Sequence, residues 1–181
     1  MKPLLSLLVV LSCYGAAQAA PKSPQRDAVQ IAALLPTHSL WSRALRVTGQ
    51  DQTLRGRGPF TVFAPLDTAW QTLSPRVVKA LFLPANKALL TGIVRFHILP
   101  RKLDGTALAQ IKSGTNIRTL EGETILLHTP IIVLDSKRSP TSKIDSFNFF
   151  LRNGVMHQID TLLLPPSLAQ RISQLDTAPK P

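Results

Sequence analysis

Apolar residues return at helical spacing along the first half of this chain and alternate along the second, with the change near Gly92. In "DAVQIAALLP" Val29, Ile31, Ala32 and Leu35 fall near one face of a helix. In "HSLWSRALRVTG" Leu40, Trp41, Ala44, Leu45 and Thr48 form one stripe that Gly49 ends. Ser74 followed by Pro75 is a helix start, with Val77, Val78, Leu81 and Phe82 on the helix behind it. A short β-branched and aromatic run, "TVFAP", interrupts this helical half as a strand. After Gly92, "IVRFHIL" sets Val94, Phe96 and Ile98 against Arg95, His97 and Leu99, which predicts a strand. "DGTALAQIKSG" reads as a short helix. "TNIRTL", "ETILLH", "IIVLD", "FNFFLR" and "VMHQIDTLLL" read as strands, the last two joined at Asn153-Gly154 as a hairpin. Helices first and strands after predict an α+β fold rather than a repeated βαβ sheet. No internal repeat is visible.

The first twenty residues stand apart. Lys2, an apolar run from Leu4 to Leu11 and the small-residue end Ala17-Gln18-Ala19 fit a secretory signal peptide. Residues 1–19 are expected to be removed, 20–27 to form a linker, 28–166 the folded domain and 167–181 a tail. The single cysteine, Cys13, lies inside the leader. Its surroundings are a poor lipobox because of Leu11, so lipidation is the lesser expectation. Cleavage after Ala19 leaves no cysteine, which excludes disulfides, thiolate metal sites and cysteine nucleophiles. No Asn-x-Ser/Thr sequon occurs, which suits a bacterial periplasmic or secreted protein.

The chain has 21 Lys and Arg against 10 Asp and Glu. An excess of that sign favours anionic partners. For a secreted protein these are polysaccharide, lipid surfaces or envelope and matrix proteins, not nucleic acid. Catalytic signatures are missing. There is no G-x-S-x-G elbow, no close histidine pair at helical spacing and no phosphate-binding loop in "RGRGPF". The few acids sit mostly in turns, such as Asp104-Gly105 and Glu121-Gly122. His97, His128 and His157 fall on predicted strands, but without metal-ligand spacing. No enzyme, cofactor or metal is expected. A half-buried histidine such as His157 needs partners for its ring nitrogens, and backbone carbonyls or a carboxylate are the ready ones. Asp67 is placed to cap the helix that carries Ala69, Trp70 and Leu73.

Three stretches, "GPFTVFAPLDTAW" from Gly58, "IVRFHILPRKL" from Ile93 and "NGVMHQIDTLLLPP" from Asn153, resemble in order and spacing the signatures of the fasciclin-type FAS1 domain. The resemblance covers roughly Val29 to Pro166. It implies a β-sandwich-like wedge packed against several helices, no enzymatic activity, and a role in cell adhesion or in matrix or envelope attachment. Within it His97 and His157, with Asp67, are structural polar anchors. This chain departs from the pattern in places. Phe96 stands where the family usually has Tyr before the histidine, Leu66 where Thr or Ser is common, and Asn148 where Asp is frequent. The basic stretch from Ser136 to Lys143 reads as an inserted loop. Arg55, Arg57, Lys137, Arg138 and Lys143 are the expected contact surface for an anionic partner. The alternative is a carrier of a lipophilic small molecule such as a carotenoid, in an apolar groove near Trp70, Phe147, Phe149 and Phe150.

Overall fold

The computed structural model describes residues 26–128, 133–135 and 141–177. The expected leader, the expected linker up to residue 25, and the expected contact residues Lys137 and Arg138 lie outside them. The helical half comprises α1 (Ala28–Leu34), α2 (Ser39–Thr48), α3 (Gln50–Leu54), α4 (Pro75–Leu81) and α5 (Lys87–Phe96), with β1 (Phe60–Pro65) between α3 and α4. Then come β2 (Ile98–Leu99), α6 (Gly105–Gln110), β3 (Thr115–Arg118), β4 (Thr124–His128), β5 (Val133–Asp135), β6 (Ser142–Leu151), β7 (Gly154–Ile159) and α7 (Ala169–Thr177). The last helix falls in the stretch read as a tail, and its Ile172 is buried against the other helices.

Local chemistry sets most helix boundaries. Asp27 and Gln30 form a reciprocal capping box on α1, each side chain bonding the other's backbone N–H at 3.0 Å. Ser74 caps α4 ahead of Pro75, and Asp104 caps α6 through the Ala107 N–H at 2.9 Å. Gly49, at φ 73°, ends α2 in the left-handed conformation that glycine adopts without a Cβ clash.

The strands form one seven-stranded order, β2-β1-β7-β6-β5-β4-β3. Only β1 and β7 pair in parallel; every other neighbouring pair is antiparallel. Strand β6 joins the two halves. Its first residues pair with β5, its remainder runs along β7, and the register breaks twice between Ile144 and Phe149. Such irregularities bend a strand, which lets one long element serve both halves of a wedge. One break holds Asn148 at φ 62°, the only non-glycine residue with positive φ among the described residues.

Alternation along β1 then divides the core in two. Val62 and Ala64 face the helices with Trp41, Leu45, Trp70 and Met156. Phe63 faces the other way, into a second cluster with Phe96, Leu99, Ile117, Leu127 and Ile159. This is the α+β wedge that the sequence predicts.

Three local expectations are corrected. The strand predicted from Ile93 begins only at Ile98, because α5 runs through Phe96. Leu89, Leu90, Ile93, Val94 and Phe96 are all buried on that helix, and Arg95 alone points to solvent in its last turn. An apolar run interrupted by single polar residues satisfies both periods. The hairpin between β6 and β7 exists, but its turn residues are Arg152 and Asn153, since Leu151 pairs with Gly154. Gly154 is the first strand residue, and a Cβ there would run into the Phe60 carbonyl of β1. Finally, Asp67 does not cap its own turn. Its carboxylate accepts from the Ser39 N–H (3.1 Å), the Ser39 hydroxyl (2.7 Å) and the Leu40 N–H (2.8 Å), at the start of α2. Helix α2 follows His38, whose side chain offers it no cap, and Asp67 fills that place from across the chain.

Asp67→Ala is therefore expected to lower stability by about 1–2 kcal/mol, the usual cost of losing a helix cap. Urea denaturation measures it. A loss under about 0.3 kcal/mol would mean that α2 starts equally well without the carboxylate.

Candidate functional site

His97 is fully buried at the end of α5. Its Nδ1–H donates to the Ile93 carbonyl at 2.8 Å, and its Nε2 accepts from the Leu163 N–H at 3.1 Å. A backbone N–H can only donate, so the proton of the neutral ring sits on Nδ1. Trp41 packs on this ring at 5.4 Å between centroids. His157, on β7, has the opposite arrangement. Its Nδ1 accepts from the Asn148 N–H at 3.2 Å and its Nε2–H donates to the Leu103 carbonyl at 2.8 Å. Phe63 stacks on it at 5.8 Å. Asn148 continues the chain of contacts by accepting the Gly105 N–H on its side-chain oxygen at 2.8 Å. Both imidazoles are engaged at both nitrogens inside the core. His38, also buried, meets the Thr37 hydroxyl at 3.0 Å. His128 lies apart on β4. Among the described residues no three His, Cys, Asp or Glu side chains gather as metal ligands would.

Burial pushes the His97 imidazole down from 6.5 to about 4, against a smaller pull upward from the Ile93 carbonyl. Burial likewise holds His38 and His157 below the ordinary value. At His157 the Leu103 carbonyl and Asp104 oppose it weakly; at His38 Asp67 and the Ala64 carbonyl do.

The surface offers a different chemistry. The register brings three remote segments to one end of the sheet. Strand β1 starts here beside the turn of the β6–β7 hairpin, and the Phe60 N–H donates to the Asn153 carbonyl at 2.9 Å. Asn153 in turn donates through its side-chain amide to the carbonyls of Leu54 and Gly56, at 2.7 Å each. That fixes the basic loop carrying Arg55 and Arg57 against the hairpin. Strand β2 ends alongside, and the Thr61 hydroxyl donates to the Arg101 carbonyl at 2.6 Å while accepting the Leu103 N–H at 2.8 Å. Arg55, Arg57, Arg101 and Lys102 are all exposed at this end. Phe150, half exposed on β6, lies under the Lys102 ammonium at 5.4 Å. Arg152 completes the group and holds it together. Its guanidinium donates to the Arg55 carbonyl at 2.6 Å and pairs with the buried Asp27 at 3.5 Å.

The structure thus brings Arg55 and Arg57 together and separates them from Lys143. That residue is exposed at the opposite end of β6, where its N–H bonds the Asp160 carboxylate at 2.9 Å. Sequence reasoning missed Arg101, Lys102 and Arg152. The adjacent Arg101-Lys102 after the β2 strand was the available signal, but nothing in it says which loop lies opposite. The aromatic residues offered for a ligand groove are dispersed. Trp70 is buried among the helices, Phe149 is half-buried against the same core and Phe150 is exposed; the Phe147 side chain lies outside the described residues.

Comparison with known proteins adds the following. The family model of the fasciclin domain matches residues 36–165. Protein sll1483 of Synechocystis sp. is 34% identical over 139 residues, which are 76% of this chain and 73% of that protein. Human stabilin-1 is 30% identical over 151 residues, 82% of this chain but 6% of stabilin-1. Among solved structures, the FAS1 domain pair of the insect cell adhesion molecule fasciclin I superposes with a TM-score of 0.69 at 18% identity, over 80% of this chain and 52% of that one.

The buried histidines make a pH prediction. Folded His97 takes up a proton only near pH 4, whereas in the unfolded chain it does so near 6.5. Between those values the unfolded state holds more protons, so stability falls as pH drops from about 6.5 and is unaffected by this group above it. The His97 share of the loss is about 3 kcal/mol by pH 4. Urea denaturation across that range, with the ring protons followed by NMR, measures both parts. A His97 resonance that titrates near 6.5 in the folded protein would contradict the assignment.

Proposed function

The chain belongs to the fasciclin domain family, and we propose that it is a non-enzymatic, secreted or periplasmic adhesion module that attaches to an anionic polysaccharide through the cationic end of its sheet. The observation that carries this reading is the gathering of Arg55, Arg57, Arg101 and Lys102 around the β6–β7 hairpin from segments far apart in sequence. Their carboxylate neighbours are few. Asp27 is buried and taken by Arg152, and Asp51 stands 4.0 Å from Arg55 in a pair that is half exposed on the arginine side. Exposed pairs of that kind hold little energy, so the cations stay available to a partner. Guanidinium groups bind carboxylates with two parallel hydrogen bonds, and the exposed Phe150 ring offers a face against which a sugar ring can lie. A polymer of uronic acids presents both groups at each repeat.

Membership of the fasciclin family supports the same class of role, and one solved structure with this fold comes from a cell adhesion molecule. The rival role, carriage of a lipophilic molecule such as a carotenoid, has less behind it, since Trp70 is buried among the helices while Phe150 is exposed on β6.

Binding to polygalacturonate is expected to weaken steeply between 50 and 500 mM salt, because exposed charge contacts are screened over about 10 Å at 0.1 M. The triple variant Arg57→Glu, Arg101→Glu, Lys102→Glu should lose at least tenfold in affinity, while Lys143→Glu binds as the parent does. Neutral dextran serves as the control polymer. Equal binding to dextran, or an unaffected triple variant, would refute the assignment. Stronger binding to vesicles rich in phosphatidylglycerol would replace the polysaccharide by a lipid surface.

A further inference from the structure

At the other end of β1 the chain enters a 3₁₀ turn, Asp67–Thr72, and here a groove of about 410 Å³ opens between that turn, α2 and α4. Leu40, Leu73, Val78 and Phe82 form its apolar walls together with Trp70, whose ring meets that of Phe82 at 5.8 Å. The volume lies at the lower end of the ~300–1,000 Å³ found for small-ligand sites.

Its charges are unbalanced. Arg43 and Lys79 line it, both exposed, and neither meets a carboxylate among the described residues. The Arg43 guanidinium instead rests 4.5 Å from the centre of the Phe82 ring. One acid, Asp67, lines the groove, and its two oxygens are occupied by the three donors at the start of α2. The Trp70 Nε1–H is buried with no acceptor among the described residues, as is the Trp41 Nε1–H.

We propose that this groove binds an amphipathic monocarboxylate, with an apolar body against Trp70 and Phe82 and its carboxylate between Arg43 and Lys79. The apolar walls supply affinity in proportion to the area they cover. The two cations supply the sign preference. The volume favours a medium-chain or single-ring acid over a long one. The site is distinct from the cationic sheet end, with the length of β1, about 20 Å, between them.

The test is titration of the full chain with decanoate below its micellar concentration, followed by calorimetry and by the indole N–H resonance of Trp70. Decyltrimethylammonium, of equal chain length and opposite charge, is the comparator. Saturable decanoate binding that moves the Trp70 resonance is expected, with at least tenfold weaker binding of the cation. The double variant Arg43→Gln, Lys79→Gln, which alters only exposed side chains, should weaken decanoate at least tenfold. The triple variant at the sheet end should bind it as the parent does. The proposal is overturned by absence of saturation, by equal affinity for the two amphiphiles, by a silent Trp70, or by loss of binding in the sheet-end variant and not in the groove variant. Polysaccharide binding is read in separate samples, so either result can fail alone.

Discussion

A neutral imidazole has one donor and one acceptor, and a ring buried in a dry core must find partners for both. His97 and His157 meet that demand across the same strand. Strand β1 lies between β2 and β7 in the sheet. His97, just before β2, receives the N–H of Leu163, just beyond β7. His157, within β7, donates to the carbonyl of Leu103, just beyond β2. Each histidine thus holds the far end of the segment that contains the other, and β1 is clasped between two cross-ties. The two segments are joined to β1 by backbone pairing, but their irregular continuations have no ladder to hold them. The side-chain bonds supply what the ladder does not. His157 adds a second demand, because its acceptor nitrogen takes the Asn148 N–H at a point where β6 bulges. That bulge lets β6 turn from one half of the wedge to the other.

The same bracing positions the surface. Strand β1 starts at the hairpin turn and ends at the 3₁₀ turn, so whatever fixes β1 fixes both ends at once. At its start, Asn153 and Arg152 pin the loop of Arg55 and Arg57 by bonds to backbone carbonyls rather than to acids. The loop is therefore held in place without using the charges of Arg57, Arg101 and Lys102. At its end, Asp67 spends its charge on α2 instead of on Arg43 or Lys79. At the groove, then, the one lining carboxylate is committed to the start of α2 and leaves the cations beside it unneutralised. The excess of basic residues is thereby turned into two local fields of one sign, more than a diffuse surface charge.

Much of this was legible in the chain itself, and the limits have physical causes. The change of hydrophobic period gave the α+β order, and Ser74 and Gly49 marked helix ends because capping acts within a few residues. The pairing demand of a buried ring pointed to His157 as an anchor, and His97 was read the same way. Ile93 to Phe96 misled because a buried helix end and a half-buried strand can show the same sequence of apolar and polar residues. Asn153-Gly154 suggested its own turn, yet what demands glycine at 154 is the close approach of β1, a strand almost a hundred residues away. Asp67 was recognised as a cap but assigned to the wrong helix, since a cap supplied from another segment has no local signature. Arg101 and Lys102 could not be joined to Arg55 and Arg57 for the same reason: register, which no short window of sequence contains, decides which loops share an end.

That distinction bears on how the two surfaces can coexist. The groove rests on helix packing around Trp70 and Phe82, and the sheet end rests on strand register and on bonds from Asn153 and Arg152. They share only β1 and the cores on its two faces, which are packed and cross-tied. A ligand in the groove meets side chains on α2, α4 and the 3₁₀ turn, whereas the cations of the sheet end lie on the loops around the hairpin turn. Energetic coupling needs an element with two arrangements that both sites bias. A strand paired on both sides and buried on both faces has no second arrangement at small cost. The two surfaces are therefore expected to act independently, and a change at one to leave the other's affinity within the few tenths of a kcal/mol typical of distant sites.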